Sequence, residues 1–419
     1  MLKKILPLLA LTLTLPLASG CMDSTAKGEV FLKEVAVQES KSDIEVPEDI
    51  RTAMFELSEE ITPDYFAASE KENQMFSPLS LWYALGVLRE GAAGETLAEL
   101  DRMMKLPSAF TSSGVIPQLS KSLNFMQDPV RSSGTKNGIR LTSGIFLDEA
   151  YRENILDAWL DTAAGVWSTE TAAVDFTDGP GTKEIIRDWV SRKTDEFIPD
   201  YEATFPTDGS GILNIYNVLY LKDQWQTMFH ELAEEEFQTA GGSVRVPYLA
   251  GQINTANYVD TELVQGAAFP GETGIRVWFL LPREGMDPSG LLPGLQEIMD
   301  SEEQALVNFR APQLELDGDN ISLRDLLMAR GYTSLFTEAE LDLMLEGMDA
   351  VVGDIKQKAK LVMDHSGFEA AAVTEVSLTT TGAPADDPVE LTIDRPYLLV
   401  IEHEGLPLFI ARIMDPSEK

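Results

Sequence analysis

The stretch Asp364–Ala383, DHSGFEAAAVTEVSLTTTGA, decides how the rest of the chain is read. With a period of two it sets Phe368, Ala370, Ala372, Thr374, Val376, Leu378 and Thr380 on one face. Glu369, Ala371, Val373, Glu375, Ser377, Thr379 and Thr381 fall on the other, the pattern of a half-buried strand. Its ends are unusual for a strand. Gly367 permits a backbone hinge, and the run from Thr379 to Pro384, followed by Asp386, Asp387 and Pro388, reads as an exposed crest. Such a segment can pair into a sheet under one condition and stand clear of it under another. An ordinary edge strand is the plainer reading of the periodicity alone.

Working outward, the chain has 419 residues, 44% of them hydrophobic and 24% charged, as in a soluble globular protein with a sizeable core. A net charge of −37 disfavours nucleic acid and anionic headgroups as partners and is read as a solubilising surface. At the N-terminus Lys3 and Lys4 precede an apolar run from Ile5 to Leu17, too short to span a bilayer and interrupted by Pro7 and Pro16. That is the form of an export signal, residues 1–20. Cys21 is the only cysteine, so no intrachain disulfide can form. The run LASGC resembles a bacterial lipobox, with Ala18 three residues and Leu17 four residues before the cysteine. It implies that Cys21 is acylated and anchors the protein to an extracytoplasmic membrane surface. Residues 21–48 then read as a tether without sustained periodicity, and residues 49–419 as one domain.

Along that domain, Ile50–Ser69 fits an amphipathic helix that Pro63 is expected to kink or break. Ser77 reads as a cap and Pro78 as the first helical residue after a short strand. Ile139–Leu147 reads as a strand, Asn154–Trp167 and Ile185–Tyr201 as helices, and Asn214–Trp225 as a strand buried on both faces.

The ordered set of motifs resembles the serpin family from about Ile50 to Pro416. It comprises Asn73 with Phe76-Ser77-Pro78 and Ser80, then Gly91-Ala92-Ala93-Gly94 with Thr96 and Glu99. Val174-Asp175-Phe176, Asn217 and Trp225 follow, then the hinge Gly367, Phe368, Glu369, Ala370, Ala371, Ala372, Val373, Thr374, and last DRPYLLVIEHEGLPLFIARIMDP. The resemblance implies an α+β serpin fold with a central, mostly antiparallel sheet, two further sheets and eight or nine helices. It also implies an exposed reactive-centre loop over about residues 367–388. A protease would cut that loop as bait, the loop would enter the central sheet, and the acyl-enzyme would be trapped. Counting from Gly367 as the family does puts the reactive bond at Thr381–Gly382. The partner is then a serine or cysteine protease, with a small primary pocket of elastase-like or subtilisin-like form, met by a monomer. The alternative is a non-inhibitory member serving as a binding or carrier module.

The resemblance further implies a sheet-opening region of Ser77, Ser80, Asn217, Trp225 and Gln357, with departures. Gln357 stands where a histidine is usual, Arg187 where an asparagine is usual, and His365 where an acid is usual. Phe368 replaces a small first inserting residue and is expected to slow entry. Lys222-Asp223-Gln224-Trp225 replaces Lys-Gly-x-Trp, which puts a turn in question.

No enzyme reading competes. His230-Glu231-Leu232-Ala233-Glu234 opens like a helical zinc-protease motif, but Glu234 stands where the second histidine is required. Asp317, Gly318, Asp319 and Asn320 lack the remaining ligands of a calcium loop. There is no phosphate loop, nucleophile elbow or dinucleotide fingerprint, and no cofactor or metal is expected.

Overall fold

The helix that begins the domain shows how packing overrides a local breaker. Glu48–Ala68 runs continuously through Pro63, without the break that the proline allowed, and buries Ile50, Met54, Phe55, Leu57, Ile61, Tyr65 and Phe66 along one stripe. The computed structural model describes residues 30–33, 39, 44–69, 71–129, 136–318, 321–368 and 387–418.

Among the described residues there are nine α-helices, two short 3-10 helices and three sheets of eight, nine and two strands. This is an α+β fold with mostly antiparallel sheets. In the eight-stranded central sheet, the long strand Leu213–Gln224 pairs antiparallel with Asn137–Asp148 on one side. On its other side, among the described residues, it meets the two-residue strand Gly367–Phe368, which in turn pairs with Lys360–Met363. Val30–Lys33, within the stretch read as a tether, adds an outer edge strand beside Thr169–Val174.

Alternation along Leu213–Gln224 divides the interior in two. Leu221 and the following Trp225 enter the large core shared with the second sheet, whereas Val218 and Tyr220 join a smaller cluster with Phe146, Ile186 and Trp189. That second cluster lies under the helix Gly179–Lys193, whose Trp189 meets Phe146 edge-on at 5.6 Å. The helix starts at Gly179, capped by Asp178, and ends at Lys193, so the segment expected to be helical to Tyr201 finishes in turns. The 3-10 stretch Glu149–Asn154 likewise delays the next helix to Asp157. Leu213–Gln224 itself departs from the expected strand covered on both faces. Its first five residues are half-buried, because the sheet is open beside them.

Candidate functional site

Ser77 closes the strand Gln74–Phe76 and caps the helix Pro78–Arg89, its Oγ accepting from Ser80 N at 3.2 Å. The capped turn leaves the Ser77 backbone facing Gln357 across the fold. Ser77 N donates to Gln357 Oε1 at 2.6 Å, and Gln357 Nε2 donates to Ser77 O at 2.9 Å. One amide thus satisfies both the backbone donor and the backbone acceptor of Ser77. Gln357 belongs to the two-stranded sheet of Ile321–Ser322 with Lys356–Gln357, so this clasp ties the helix cap to the strand leading into Lys360–Met363.

Opposite lies Asn217, whose Nδ2 donates to Ser143 Oγ at 2.9 Å on the neighbouring strand. The two groups do not touch; they line a gap of about 50 Å³ together with Thr194, Tyr201 and Tyr216. Space of that size admits a few waters. Asn217 Oδ1 and Tyr216 Oη are buried there without a hydrogen-bond partner among the described residues. A second gap of about 30 Å³ continues it between Leu219–Leu221 and Lys358–Val362.

The gap has a backbone cause. Gly367–Phe368 is antiparallel to both of its neighbours, so Leu213–Gln224 and Lys360–Met363 run parallel to each other. Among the described residues no ladder joins them directly. Among the described residues nothing pairs with this edge of the long strand from Leu213 to Lys222, the ordinary template for one more strand.

The top of the gap is closed by the hinge. Asp364 turns the chain: its Oδ1 accepts from Ser366 N at 2.7 Å and Gly367 N at 3.2 Å. Phe229 N donates to His365 O at 3.2 Å and Trp225 N to Ser366 O at 3.1 Å, pinning the turn from outside. At Gly367 any Cβ would fall onto the carbonyl oxygen of Asp223, so close approach, besides hinge freedom, requires glycine. Phe368 is 1% exposed, its ring 5.0 Å from Trp225, which meets Phe229 at 5.2 Å; Trp225 Nε1 donates to Asp364 O at 2.8 Å. The ring expected to obstruct the sheet has a fitted aromatic seat, and its burial is worth about 1.5–3 kcal/mol.

Of the residues named from the sequence, Ser77, Ser80 and Gln357 come together, Asn217 faces the same gap, and Trp225 sits apart at the top with Gly367 and Phe368. Arg187 does not belong. It lies half-buried on its helix, paired with Asp188 and Glu184, and Thr194 and Tyr201 line the gap instead. Lys222 and Asp223 continue the strand without the turn that loss of the glycine had put in question. His230–Thr239 is an exposed strand, not a helix. Sequence reasoning missed Ser143, Phe229 and Thr273, whose roles arise only from strand register. Glu369, Ala370, Ala371, Ala372, Val373, Thr374, Thr381, Gly382, Cys21, Asp319 and Asn320 lie outside the described residues. Among the described residues no cluster of three His, Cys, Asp or Glu is placed to hold a metal ion, and no helix is long and apolar enough to cross a membrane.

Comparison with known proteins agrees with this geometry. The family described as "Serpin (serine protease inhibitor)" matches residues 55–416. The chain is 26% identical over 372 residues to plasminogen activator inhibitor 1 of Neovison vison, across 83% of this chain and 88% of that relative. To alpha-1-antiproteinase 2 of Equus caballus it is 24% identical over 362 residues, across 84% and 83%. Its fold is similar to that of the thermophilic serpin tengpin in the native state, with a TM-score of 0.75 at 19% identity over 93% of this chain and 100% of that one. It is also similar to human thyroxine-binding globulin, with a TM-score of 0.74 at 21% identity over 88% and 99%. With the family matched over most of its length, the chain belongs to the serpin family.

Proposed function

We propose that this serpin inhibits a protease as a suicide substrate, trapping it when the cut loop enters the gap. The observation that carries the reading is the register of the hinge. Gly367 stands opposite Gln224 and Phe368 opposite Asp223, while Phe368 faces Met363 on the other side. Continued without a bulge, that register would set Thr374 opposite both Asn217 and Gln357, and Leu378 opposite Leu213, where the long strand begins. Thr374 shares the face of Phe368, so its hydroxyl would arrive on the side of the unpartnered Asn217 Oδ1. The unpaired edge and the hinge segment match in length and in chemistry.

The chemistry belongs to the protease. Its nucleophile attacks the Thr381 carbonyl, the bond to Gly382 breaks, and the proton passes to the new amino terminus of Gly382. The acyl bond to Thr381 remains. Entry of the loop then carries the acylated protease away from its loop-bound geometry before water completes hydrolysis. A small β-branched residue before the bond suits a serine protease with a shallow primary pocket.

Incubation with pancreatic elastase and with subtilisin tests this. The expected result is a band at the summed mass that survives denaturing electrophoresis, with a released peptide beginning at Gly382. Clean cleavage without an adduct across such proteases would instead favour a binding or carrier role.

We also place the protein outside the cytoplasm, held by a lipid on Cys21, on the strength of the signal-like N-terminus and the lone cysteine. Labelled fatty acid should enter the protein and be lost with Cys21→Ser, which should also leave the membrane fraction. Retention of that variant on the membrane would end the idea.

A further inference from the structure

Asp223 stands at the top of the long strand, 2% exposed, where the family motif has glycine. Its Oδ2 accepts from Thr273 N at 2.9 Å and from Thr273 Oγ1 at 2.6 Å. Gly271 leaves the room: a Cβ there would fall onto that carboxylate oxygen. Directly opposite in the ladder is Phe368, and opposed residues share a face, so the carboxyl and the ring enter the interior side by side.

We infer that Asp223 is a positioning residue for the hinge: as the neutral acid it keeps Gly367 and Phe368 in the sheet, and as the carboxylate it releases them. The reason is reciprocity. Phe368, buried directly opposite Asp223 in the ladder, would help to exclude water from the carboxyl when seated, so whatever charges Asp223 would oppose that seating by the same free energy.

Few other charges face this carboxyl. On the turn beside it, Glu272 repels its ionised form, and Asn137 of the neighbouring strand donates to Glu272 at 3.4 Å. Lys222, adjacent in the strand, alternates to the opposite face. From the hinge come Asp364, occupied by Ser366 and Gly367, and His365, whose carbonyl is held by Phe229. Burial pushes the Asp223 carboxyl up to about 7, although the Thr273 hydrogen bonds pull the other way.

The sign follows. With the hinge seated, burial holds the carboxyl up at about 7, and a hinge-out state that returned water to it would bring it down toward the ordinary 3.8. Between those limits each rise in pH favours release, by at most about tenfold per pH unit for one proton, and above 7 the dependence ends.

Hydrogen exchange of the Gly367 and Phe368 amides in the full chain, from pH 5 to 8.5, reads this without any protease. Its bearing on trapping rests on the function proposed above, but a chain that traps nothing would still answer. Protection, corrected for the intrinsic pH dependence of exchange, should fall at least tenfold from pH 5 to 7 and level off above 7. Asp223→Asn should be flat and high throughout. Thr273→Val removes the hydroxyl that favours the carboxylate and should move the levelling point upward. A flat wild type would overturn the inference, as would an Asp223→Asn variant that keeps the wild-type fall, which would assign the titration to His365 or Asp364.

Discussion

Nicking the loop at Thr381–Gly382 is expected to raise the thermal midpoint by about 20 °C, because roughly 10 kcal/mol of folding free energy is unspent in the intact chain. The figure follows from the gap. Among the described residues the two parallel strands share no ladder, and an added strand antiparallel to both would supply two. About ten newly paired residues at 0.5–1.5 kcal/mol each give that total. Val376 and Leu378, on the face of Phe368, would add apolar burial, and Thr374 would relieve Asn217 Oδ1. Scanning calorimetry of intact and nicked protein measures the difference. An unchanged midpoint would mean that the edge of Leu213–Gln224 does not receive the loop.

The second large effect is expected from Thr374→Arg. Continued without a bulge, the register would set that side chain beside Asn217 and the Ser77–Gln357 clasp, where the gap is lined by no carboxylate. A guanidinium there would be charged and unpaired, at a cost of several kcal/mol. Insertion should stall midway, and the protease should deacylate and leave. The yield of denaturation-resistant adduct should drop by about two orders of magnitude, taking 1.36 kcal/mol per tenfold change. Cleavage at the loop and the melting point of the intact chain should stay near wild type. Titrating protease activity against each protein gives the partition directly, and full trapping by Thr374→Arg would refute the register.

How much of this was legible in the sequence depended on whether the signal was local. The Ser77-Pro78 cap is a local matter of one hydroxyl and one missing N–H, and it appears where read. So does the strand read over Ile139–Leu147, which extends from Asn137 to Asp148. The continuity of the helix through Pro63 was not local, because burial of Tyr65 and Phe66 beyond the proline holds the last turns in place. Phe368 looked obstructive because its seat is assembled from Trp225 and Phe229, distant in sequence and brought together by register. Asp223 looked like a lost turn for the same reason. Only the approach of Thr273 and Gly271 shows that a carboxyl fits there. Arg187 matches the family's asparagine position by motif alone, and its half-buried side chain pairs with Asp188 and Glu184 away from the gap.

If the cut loop becomes the missing strand between Leu213–Gln224 and Lys360–Met363, peptide-resolved hydrogen exchange of nicked against intact protein will register it. Residues 369–378 should become strongly protected after nicking, and the amides of Leu213–Lys222 and of Lys356–Met363 facing the gap should slow together with them. A nicked loop that exchanges as fast as the intact one, with both flanking strands unchanged, would contradict it.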